Sequence, residues 1–239
     1  MLRTIPRQRV YVSGATRTRR QWSCRQQKGH RRMGFYDKHI LPHLIDCACS
    51  TKPIMKQREK VIPRACGCVL EVGCGSGTNF DLYNASTVDH LYALEPAAEM
   101  ITKAQRAKTS LSHDQISYLE AGGEHVPLEP GSIDTVVFTF TLCTIPHWEG
   151  ALQEARRVLK PDGQVLFAEH GAAPDEGVSK WQRRFEPIQK VIAGGCHLTR
   201  DPIEMLQSQG FQIAEQDAMY LPSTPKILGY NSWGVARLA

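Results

Sequence analysis

Short apolar segments alternate with amphipathic segments along the chain from residue 69 onward. The segment 134–142 is β-branched and aromatic on both parities, which is typical of a central strand buried on two faces. The other apolar segments are short, as strands are, and most are separated by stretches of helical length. This alternation predicts an α/β fold around a parallel sheet. The predicted strands are residues 68–72, 90–94, 116–119, 134–142, 164–168, 212–220 and 227–237.

Helices are predicted where apolar residues recur at helical spacing between these strands. Residues 97–108 follow the second strand, and the apolar positions within 151–159 form a stripe beside charged residues. A later helix carries its own start and stop signals. Asp201 can cap its N-terminus, Pro202 suits the first helical position and Gly210 ends it.

Two further helical patterns bear on how a ligand would be enclosed. Residues 35–60 precede the first strand and have apolar residues on one side, so we expect an N-terminal helical lid over the carboxyl edge of the sheet. Trp181, Phe185 and Ile188 recur at helical spacing after the fifth strand. Such a stripe most often packs in a core or under a lid, and contact with a substrate is the alternative.

Charge is distributed unevenly along the chain. The 239 residues carry a net charge of +5, from 29 Lys and Arg against 24 Asp and Glu. Residues 1–32 contain nine Arg, one Lys and no acidic residue, which leaves 19 basic and 24 acidic side chains in residues 33–239. We therefore predict a basic head over 1–32 and a mildly acidic domain over 33–239, and for that domain we expect no nucleic-acid partner.

Three interpretations of the basic head, residues 1–32, remain open. An Arg-rich, acid-free segment matches a mitochondrial or plastid transit peptide. It also matches a disordered basic arm that touches nucleic acid or anionic lipid. The third interpretation, which we prefer, is that the head lies upstream of a true start at Met33. No apolar region of a secretory signal is present in it, so we expect a cytoplasmic protein, or a mitochondrial one if the head is a transit peptide.

Composition and cysteine spacing argue against an integral membrane protein and against a structural zinc site. An apolar fraction of 41% with 22% charged residues is ordinary for a soluble globular protein, and no segment approaches the roughly 18–20 apolar residues that span a bilayer. The eight cysteines include Cys47-x-Cys49 and Cys66-x-Cys68, but no Cys-x-x-Cys pair of the kind that structural zinc sites use. We therefore expect reduced, buried thiols and no metal site.

A glycine-rich loop follows the first predicted strand. Gly73, Gly75 and Gly77 would let bare backbone approach a ligand at a helix start, and a tight turn without a ligand is the alternative. A dinucleotide-binding loop would need a glycine at position 78, which is Thr78. Glu95 ends the next strand, where a carboxylate can accept both hydroxyls of a ribose. Together they predict a single nucleoside as the ligand.

These residues resemble the cofactor site of the class I S-adenosylmethionine-dependent methyltransferases. The resemblance rests on Glu71-Val-Gly-Cys-Gly-Ser-Gly77 with Glu95 and extends over residues 33–239. It implies a Rossmann-like sheet of seven mostly parallel strands with helices on both faces, and S-adenosylmethionine as cofactor. Further matches are Gly122-Gly-Glu124, Gly131-Ser-Ile-Asp-Thr-Val-Val137 and Leu159-Lys-Pro-Asp-Gly163.

The resemblance also implies which residues hold the cofactor. The backbone of the glycine loop would hold its methionine end, Glu71 its amino group and Glu95 its ribose. Many relatives carry an acidic residue near the adenine where this chain has Gly122, so backbone beside Gly123 would supply those contacts. The implied cofactor-binding residues are Glu71, Gly73, Gly75, Gly77, Glu95, Gly123, Glu124 and Thr139.

Some stretches resemble particular branches of this family. These stretches are similar to the animal alkyl-thiol methyltransferase-like family and to bacterial relatives linked to phospholipid or quinone methylation. They are Gly34-Phe-Tyr-Asp37 with His39, Thr141-Leu-Cys143, Phe167-Ala-Glu-His170 and Gly195-Cys-His-Leu-Thr-Arg-Asp201. The fourth strand ends Thr139-Phe-Thr-Leu142, which argues against enzymes that methylate the amino groups of adenine or glutamine. The resemblance thus implies a small-molecule or lipid-like acceptor, a thiol, amine or phenol. The candidate substrate-binding residues are Tyr36, His39, Cys143, Glu169, His197 and Arg200.

His170 is the candidate catalytic residue, because it follows the fifth strand at the edge where open α/β sheets bind ligands. It would act as a base, and a hydrogen bond to a loop is the alternative. Arg200 would recognise an anionic acceptor group or, alternatively, brace Asp201. Two other functions stay open: a nucleoside-binding module without catalysis, and a nicotinamide-dependent oxidoreductase, which Thr78 opposes.

Overall fold

The computed structural model describes residues 51–239, and within that range the chain forms one seven-stranded sheet. The strands are β1 (Gly67–Val72), β2 (Val88–Leu94), β3 (Ile116–Leu119), β4 (Ile133–Thr139), β5 (Leu159–His170), β6 (Phe211–Tyr220) and β7 (Tyr230–Leu238). Their order is β3-β2-β1-β4-β5-β7-β6. Strands β1 to β5 pair in parallel, and β7 runs antiparallel between β5 and β6. The predicted Rossmann-like, mostly parallel sheet is confirmed.

Six α-helices accompany the sheet in the described part of the chain. They are α1 (Lys52–Val61), α2 (Ala98–Ala104), α3 (Trp148–Val158), α4 (Glu176–Ile192), α5 (Pro202–Ser208) and α6 (Lys226–Gly229). Helix α5 starts as its sequence predicts, because the Asp201 carboxylate accepts a hydrogen bond from the Ile203 N–H at 2.8 Å.

Apolar layers cover both faces of the sheet. Consecutive residues of β4 point to opposite sides, so Val136 belongs to one buried cluster and Val137 to the other. The first cluster takes in Leu152 of α3 and Leu206 of α5, and the second takes in Val61 of α1. The strands therefore lie between helices on both sides, and their carboxyl ends form the edge left for a ligand.

Several element boundaries differ from those predicted. Helix α2 ends at Ala104 and not at residue 108, because the chain tightens there into i→i+3 turns, with the Ala107 N–H donating to the Ala104 carbonyl. Strand β4 ends at Thr139, since Phe140 adopts a left-handed φ of 54°. Strand β5 starts at Leu159, so the Pro-Asp-Gly turn predicted before it is an irregularity within the strand.

The start of the last strand and the packing of helix α4 also differ from what was predicted. Strand β7 begins at Tyr230, because the short helix α6 occupies the residues predicted to start it. Helix α4 leaves an apolar face exposed among the described residues, with Trp181 62% and Ile188 54% accessible. The prediction of core packing for these two residues is therefore wrong for this part of the chain.

The predicted N-terminal lid is described only over its last turns. Helix α1 packs against β5 and β7, and the Arg58 side chain reaches the end of β4. Residues 35–50 of the predicted lid, and the whole basic head, lie outside the described residues. In residues 51–239 no helix is long and apolar enough to cross a membrane.

Candidate active site

The glycine loop lies between the ends of β1 and β2. The N–H groups of Gly73 and Cys74 donate to the Leu94 carbonyl at 2.9 and 3.1 Å, which ties the loop to the last residue of β2. Gly73, Gly75 and Gly77 have φ values of 72°, 55° and 82°. Residues with a side chain rarely adopt this conformation, so the path of the loop depends on all three glycines.

Only one of the three glycines borders open space. A Cβ at Gly73 would lie 2.6 Å from the Thr141 methyl, and one at Gly77 would lie 2.9 Å from the Ala107 methyl. A Cβ at Gly75 would meet only the Met100 methyl, at 3.9 Å. Gly73 and Gly77 are thus required for packing, whereas the backbone at Gly75 leaves room for a side chain or for a ligand atom.

Glu95 lies directly beside this exposed backbone. Its Oε2 accepts a hydrogen bond from the Gly75 N–H at 3.1 Å, and its Oε1 accepts one from the Ala97 N–H, also at 3.1 Å. Burial raises the pKa of the Glu95 carboxyl above its usual value, and the two N–H donors oppose that effect. Each carboxylate oxygen keeps a further lone pair, so the group can still accept two hydroxyls of a ribose.

The loop after β3 completes this side of the site. The Glu95 N–H donates to the Leu119 carbonyl at 3.0 Å, which places the end of β3 beside the glycine loop. Gly123 is buried, and a Cβ there would lie 3.1 Å from both the Val72 and the Ala151 side chains. Glu124 is half-buried next to it. Gly123 and Glu124 thus follow β3 at the same edge as Glu95, and the nucleoside contacts predicted for them remain a prediction.

Glu71 and Thr139 meet in a buried polar network behind the loop. Glu71 accepts hydrogen bonds from the Asn79 amide and the Tyr83 hydroxyl, each at 2.8 Å. Arg58 donates to Asn79 Oδ1 at 2.9 Å and to the Thr139 hydroxyl at 2.7 Å. Burial raises the pKa of the Glu71 carboxyl to about 7, against the effects of Tyr83 and Arg58. The network links β1, β4 and α1 beneath the glycine loop.

Sequence reasoning missed Arg58, Asn79 and Tyr83 in this network. None of the three belongs to a recognisable motif, and each reaches Glu71 or Thr139 only because the chain folds. The contact predicted between Glu71 and a cofactor amino group remains a prediction, since both carboxylate oxygens already accept a hydrogen bond from the chain.

Cys143, His170 and Cys196 come together at the carboxyl ends of β4 and β5. Their ligand-type atoms, two Sγ and one ring nitrogen, all lie within 4.8 Å of one another. The His170 Nε2 is 2.7 Å from the Cys196 Sγ. Cys143 is buried and the other two are partly accessible, so the cluster borders the edge where an acceptor would enter.

The groups of this cluster shift one another's protonation. A hydrogen bond from Cys196 holds the pKa of the Cys143 thiol well below its usual value, with a further contribution from the charge of His170 and against the effect of burial. Burial alone would lower the pKa of His170, but the negative charge on Cys143 raises it overall. The two groups are therefore coupled, since ionisation of the Cys143 thiol favours protonation of His170 and the reverse.

Glu169 sits directly behind this cluster and is 1% exposed. Its Oε1 accepts hydrogen bonds from the N–H groups of Thr141 and Leu142, at 2.7 and 3.0 Å. Burial raises the pKa of its carboxyl to about 8, and the charge on Cys143 adds to that effect. Its Oε2 has no hydrogen-bond partner among the described residues. Glu169 therefore holds the turn that presents Cys143.

Arg200 and His197 connect the loop after α4 to the loop after β4. The Arg200 Nη1 donates to the Leu142 and Ile145 carbonyls, at 2.6 and 2.8 Å. The His197 N–H donates to the Cys143 carbonyl at 2.9 Å, and its Nδ1 lies 3.2 Å from Glu186 Oε1. Asp201 caps α5, so the suggested brace between Arg200 and Asp201 is replaced by this contact to the carbonyls.

The remaining candidate substrate-binding residues lie outside the described chain. Tyr36 and His39, which were predicted to contact substrate, precede residue 51 and are not described. Cys74 lies in the glycine loop, where burial raises the pKa of its thiol, so it has none of the character of a nucleophile.

Comparison with known proteins gives consistent results. A family model described as a methyltransferase domain matches residues 70–167. Human thiol S-methyltransferase TMT1B is 34% identical over 171 residues, which cover 67% of this chain and 68% of that protein. Human thiol S-methyltransferase TMT1A is 31% identical, over 68% of this chain and 69% of that protein. An S-adenosylmethionine-dependent methyltransferase from Methanosarcina mazei shares the fold, with a TM-score of 0.55 at 18% identity over 72% of this chain and 92% of that chain.

Proposed function

Because the chain belongs to the class I S-adenosylmethionine-dependent methyltransferases, we propose that it transfers a methyl group to the sulfur of a small-molecule thiol. The cofactor of this family is S-adenosylmethionine, which provides an electrophilic methyl carbon when it is bound. The chain's own residues have to hold that cofactor, align the acceptor sulfur and manage the proton of the thiol.

The cofactor side of this proposal rests on the glycine loop and its acidic partner. The backbone at Gly75 borders open space and would hold the methionine end. Glu95 is fixed by two backbone N–H groups and would bind the ribose with its remaining lone pairs. Gly123 and Glu124 would contact the base from the loop after β3. The residues present therefore suit a nucleoside with an amino-acid tail.

The acceptor side rests on one observation, the contact between an imidazole and a thiol at the carboxyl edge. The His170 Nε2 lies 2.7 Å from the Cys196 Sγ, which is within hydrogen-bond distance. An acceptor thiol at a similar distance from this nitrogen could give up its proton to it. A thiol acceptor needs little more than deprotonation, since the thiolate is the nucleophile. The names of the two human relatives, both thiol S-methyltransferases, support the same choice.

A competition among acceptors tests the proposal. The full-length protein is incubated with deuterated-methyl cofactor and with thiol, amine and phenol acceptors of similar size, and the products are identified by mass. We expect a labelled thioether as the main product. Transfer to the amine or phenol in preference to the thiol would contradict the proposed acceptor. Tight cofactor binding without transfer to any of them would instead favour a nucleoside-binding module.

His170 is the catalytic residue in this proposal, and a pair of variants tests it. We expect His170→Asn to lower kcat by about 10²-fold or more, the usual range for the loss of a group that moves a proton, with little change in cofactor affinity. His113→Asn, on an exposed residue of the surface, is the matched control. An unchanged kcat in His170→Asn would remove the residue from the mechanism.

The proposal also covers where the enzyme acts in the cell, which depends on the role of the basic head. We place the enzyme in the cytoplasm, or in mitochondria if residues 1–32 act as a transit peptide. Fluorescent fusions of the full chain and of a chain that starts at Met33 separate the two. Mitochondrial signal from the full chain alone would select the transit peptide.

A further inference from the structure

Three potential metal ligands meet at the acceptor side although they come from separate parts of the chain. Cys143 lies in the loop after β4, His170 ends β5 and Cys196 follows α4. Their ligand atoms all lie within 4.8 Å of one another. In a tetrahedral zinc site with Zn–S near 2.3 Å and Zn–N near 2.0 Å, ligand atoms are roughly 3.5 Å apart, so small side-chain movements would suffice to surround an ion.

We propose that Cys143, His170 and Cys196 bind a Zn²⁺ ion that keeps one coordination position open for the acceptor thiol. Two thiolates and one imidazole form a donor set that suits zinc. Three protein ligands with a fourth position left open are the arrangement of catalytic zinc sites, whereas structural sites have four protein ligands. This inference rests on the proposed thiol methylation and specifies how the thiol is bound.

Hydrogen bonds join the segments that carry Cys143 and Cys196 without help from a metal. The His197 N–H donates to the Cys143 carbonyl at 2.9 Å, which joins the loop that carries Cys196 to the loop that carries Cys143. Arg200 donates to the carbonyls of Leu142 and Ile145, on either side of Cys143. A preformed cluster of this kind lowers the ordering cost of binding an ion.

Charge in the proposed site is balanced before the acceptor arrives. The thiolates of Cys143 and Cys196 neutralise the ion, and the imidazole of His170 is neutral when it is a ligand. Binding of zinc therefore releases two thiol protons to solvent. An acceptor thiol that takes the open position also loses its proton to solvent, because a thiol coordinated to zinc is deprotonated. In this inference the metal takes over the deprotonation that the proposed function assigns to His170, and His170 is a ligand that orients the ion.

The transfer step then needs no oxidant or reductant. A lone pair of the acceptor sulfur forms the new S–C bond to the methyl carbon while the bond between that carbon and the donor sulfur breaks. The donor leaves as a neutral thioether, and the acceptor becomes a methyl thioether. A thioether is a weaker ligand than a thiolate, so the product can leave the open position and a new thiol can enter.

Metal analysis of the full-length protein tests the inference without an assay of activity. We expect about one zinc per chain in protein purified without chelators, and at least a tenfold loss of zinc affinity in Cys143→Ser and in Cys196→Ser, measured by competition with a chromophoric chelator. Cys66→Ser is the matched control, because Cys66 is exposed and precedes β1 at the opposite edge of the sheet. Zinc that remains bound in both cluster variants would overturn the site.

Cobalt substitution provides a second measurement that needs no variant. Co²⁺ in the cluster is expected to give a thiolate charge-transfer band, and addition of an acceptor thiol should change that band by filling the open position. A band that does not respond to thiol would overturn the open position. Mass spectrometry that finds Cys143 and Cys196 joined in a disulfide in the freshly purified protein would likewise overturn a zinc site.

The two proposals fail in different ways. If chelator-treated, metal-free protein methylates thiols at the full rate, the zinc inference is wrong and thiol methylation stands. If the protein binds zinc at Cys143 and Cys196 but methylates no thiol, the metal site stands and the proposed function is wrong. Loss of thiol methylation on removal of zinc, with restoration by added Zn²⁺, supports both.

Discussion

The backbone N–H of Gly75 donates a hydrogen bond to Oε2 of Glu95 at 3.1 Å. This contact joins the loop after β1 to the residue after β2, so that bare backbone and a carboxylate face the same space. Gly75 leaves that space open, and the second oxygen of Glu95 is held by the Ala97 N–H. In the proposed cofactor half of the site, the backbone and the carboxylate are therefore held in place by the protein itself.

Glu95→Gln is expected to weaken binding of S-adenosylmethionine by about 10- to 100-fold. The loss corresponds to about 1.5–3 kcal/mol, the usual net value of hydrogen bonds to a charged group, because the amide replaces a carboxylate that accepts from the ribose. Isothermal titration calorimetry measures the change. Glu99→Gln, in the exposed first turn of α2, is the matched control. Equal affinities of the two variants would contradict the role of Glu95.

Gly75→Ala and Gly131→Ala form a second matched pair. Both residues have a left-handed φ, 55° and 64°, and an added methyl would meet only Met100 at 3.9 Å in the first and nothing within 4 Å in the second. Each substitution is expected to cost about 1–2 kcal/mol of stability for the backbone conformation alone. Only Gly75→Ala should weaken cofactor binding, because its methyl enters the cofactor space.

Thermal unfolding and calorimetry on the same samples separate the two effects. Similar melting temperatures with a loss of affinity in Gly75→Ala alone would support the assignment. Unchanged cofactor affinity in Gly75→Ala would show that the open side of the loop does not face the ligand.

The sequence located the glycine loop and Glu95 at the ends of neighbouring strands because the signals for these positions are local, and their contacts with the cofactor remain predictions. Gly73, Gly75, Gly77 and Glu95 lie at the ends of strands, and strand ends can be located from short apolar segments. The parallel sheet also followed from the alternation of strands and helices, whereas the seven-stranded Rossmann-like form was implied by the family resemblance. Local patterns encode the ends of elements poorly, as for β4, which ends at Thr139 because the next residue, Phe140, has a left-handed φ.

The acceptor half was predicted only in part, for a physical reason. Cys143 and His170 were candidates, but Cys196 was not, because it reaches His170 through the packing of the loop after α4. The spacing of cysteines along the sequence does not reveal a cluster whose members come from three separate parts of the chain. Arg58 was missed for the same reason, since its contact with Thr139 spans 81 residues of sequence.

Glu71→Gln is expected to flatten the pH dependence of stability. Burial raises the pKa of Glu71 in the folded protein to about 7 from an ordinary value of 4.5. Between these values the folded state binds the proton and the unfolded state releases it. The stabilisation is therefore complete below about pH 4.5 and is lost as the pH rises through 7, and it amounts to on the order of 3 kcal/mol.

Urea denaturation at pH 5, 6, 7 and 8 measures this effect as the difference between wild type and variant. The amide resembles the protonated carboxyl, and it can keep contacts with Asn79 and Tyr83. The variant should therefore match wild type near pH 5 and exceed it at pH 8. Parallel curves over the whole range would contradict the raised pKa of Glu71.

Arg200→Met should impair the acceptor half and leave the cofactor half intact. The guanidinium donates to the Leu142 and Ile145 carbonyls, which fix the segment that presents Cys143. Methionine keeps much of the packing of the side chain but leaves two partly buried carbonyls without their donor, at a cost of about 1–3 kcal/mol. Since neither Gly75 nor Glu95 contacts Arg200, the Kd for S-adenosylmethionine should not change.

Steady-state kinetics with a thiol acceptor give the discriminating measurement for Arg200→Met. A displaced Cys143 segment should raise KM for the thiol and lower kcat, whereas a purely global loss of stability would reduce the active fraction and leave KM unchanged. Arg200→Lys keeps one donor, so its KM for the thiol should lie between those of wild type and Arg200→Met. Arg64→Met, which removes a guanidinium paired with Glu215 at the exposed surface, is the control and should behave as wild type. If Arg200→Met and Arg64→Met have the same KM for the thiol, then the hydrogen bonds from Arg200 to the Leu142 and Ile145 carbonyls do not affect the acceptor site.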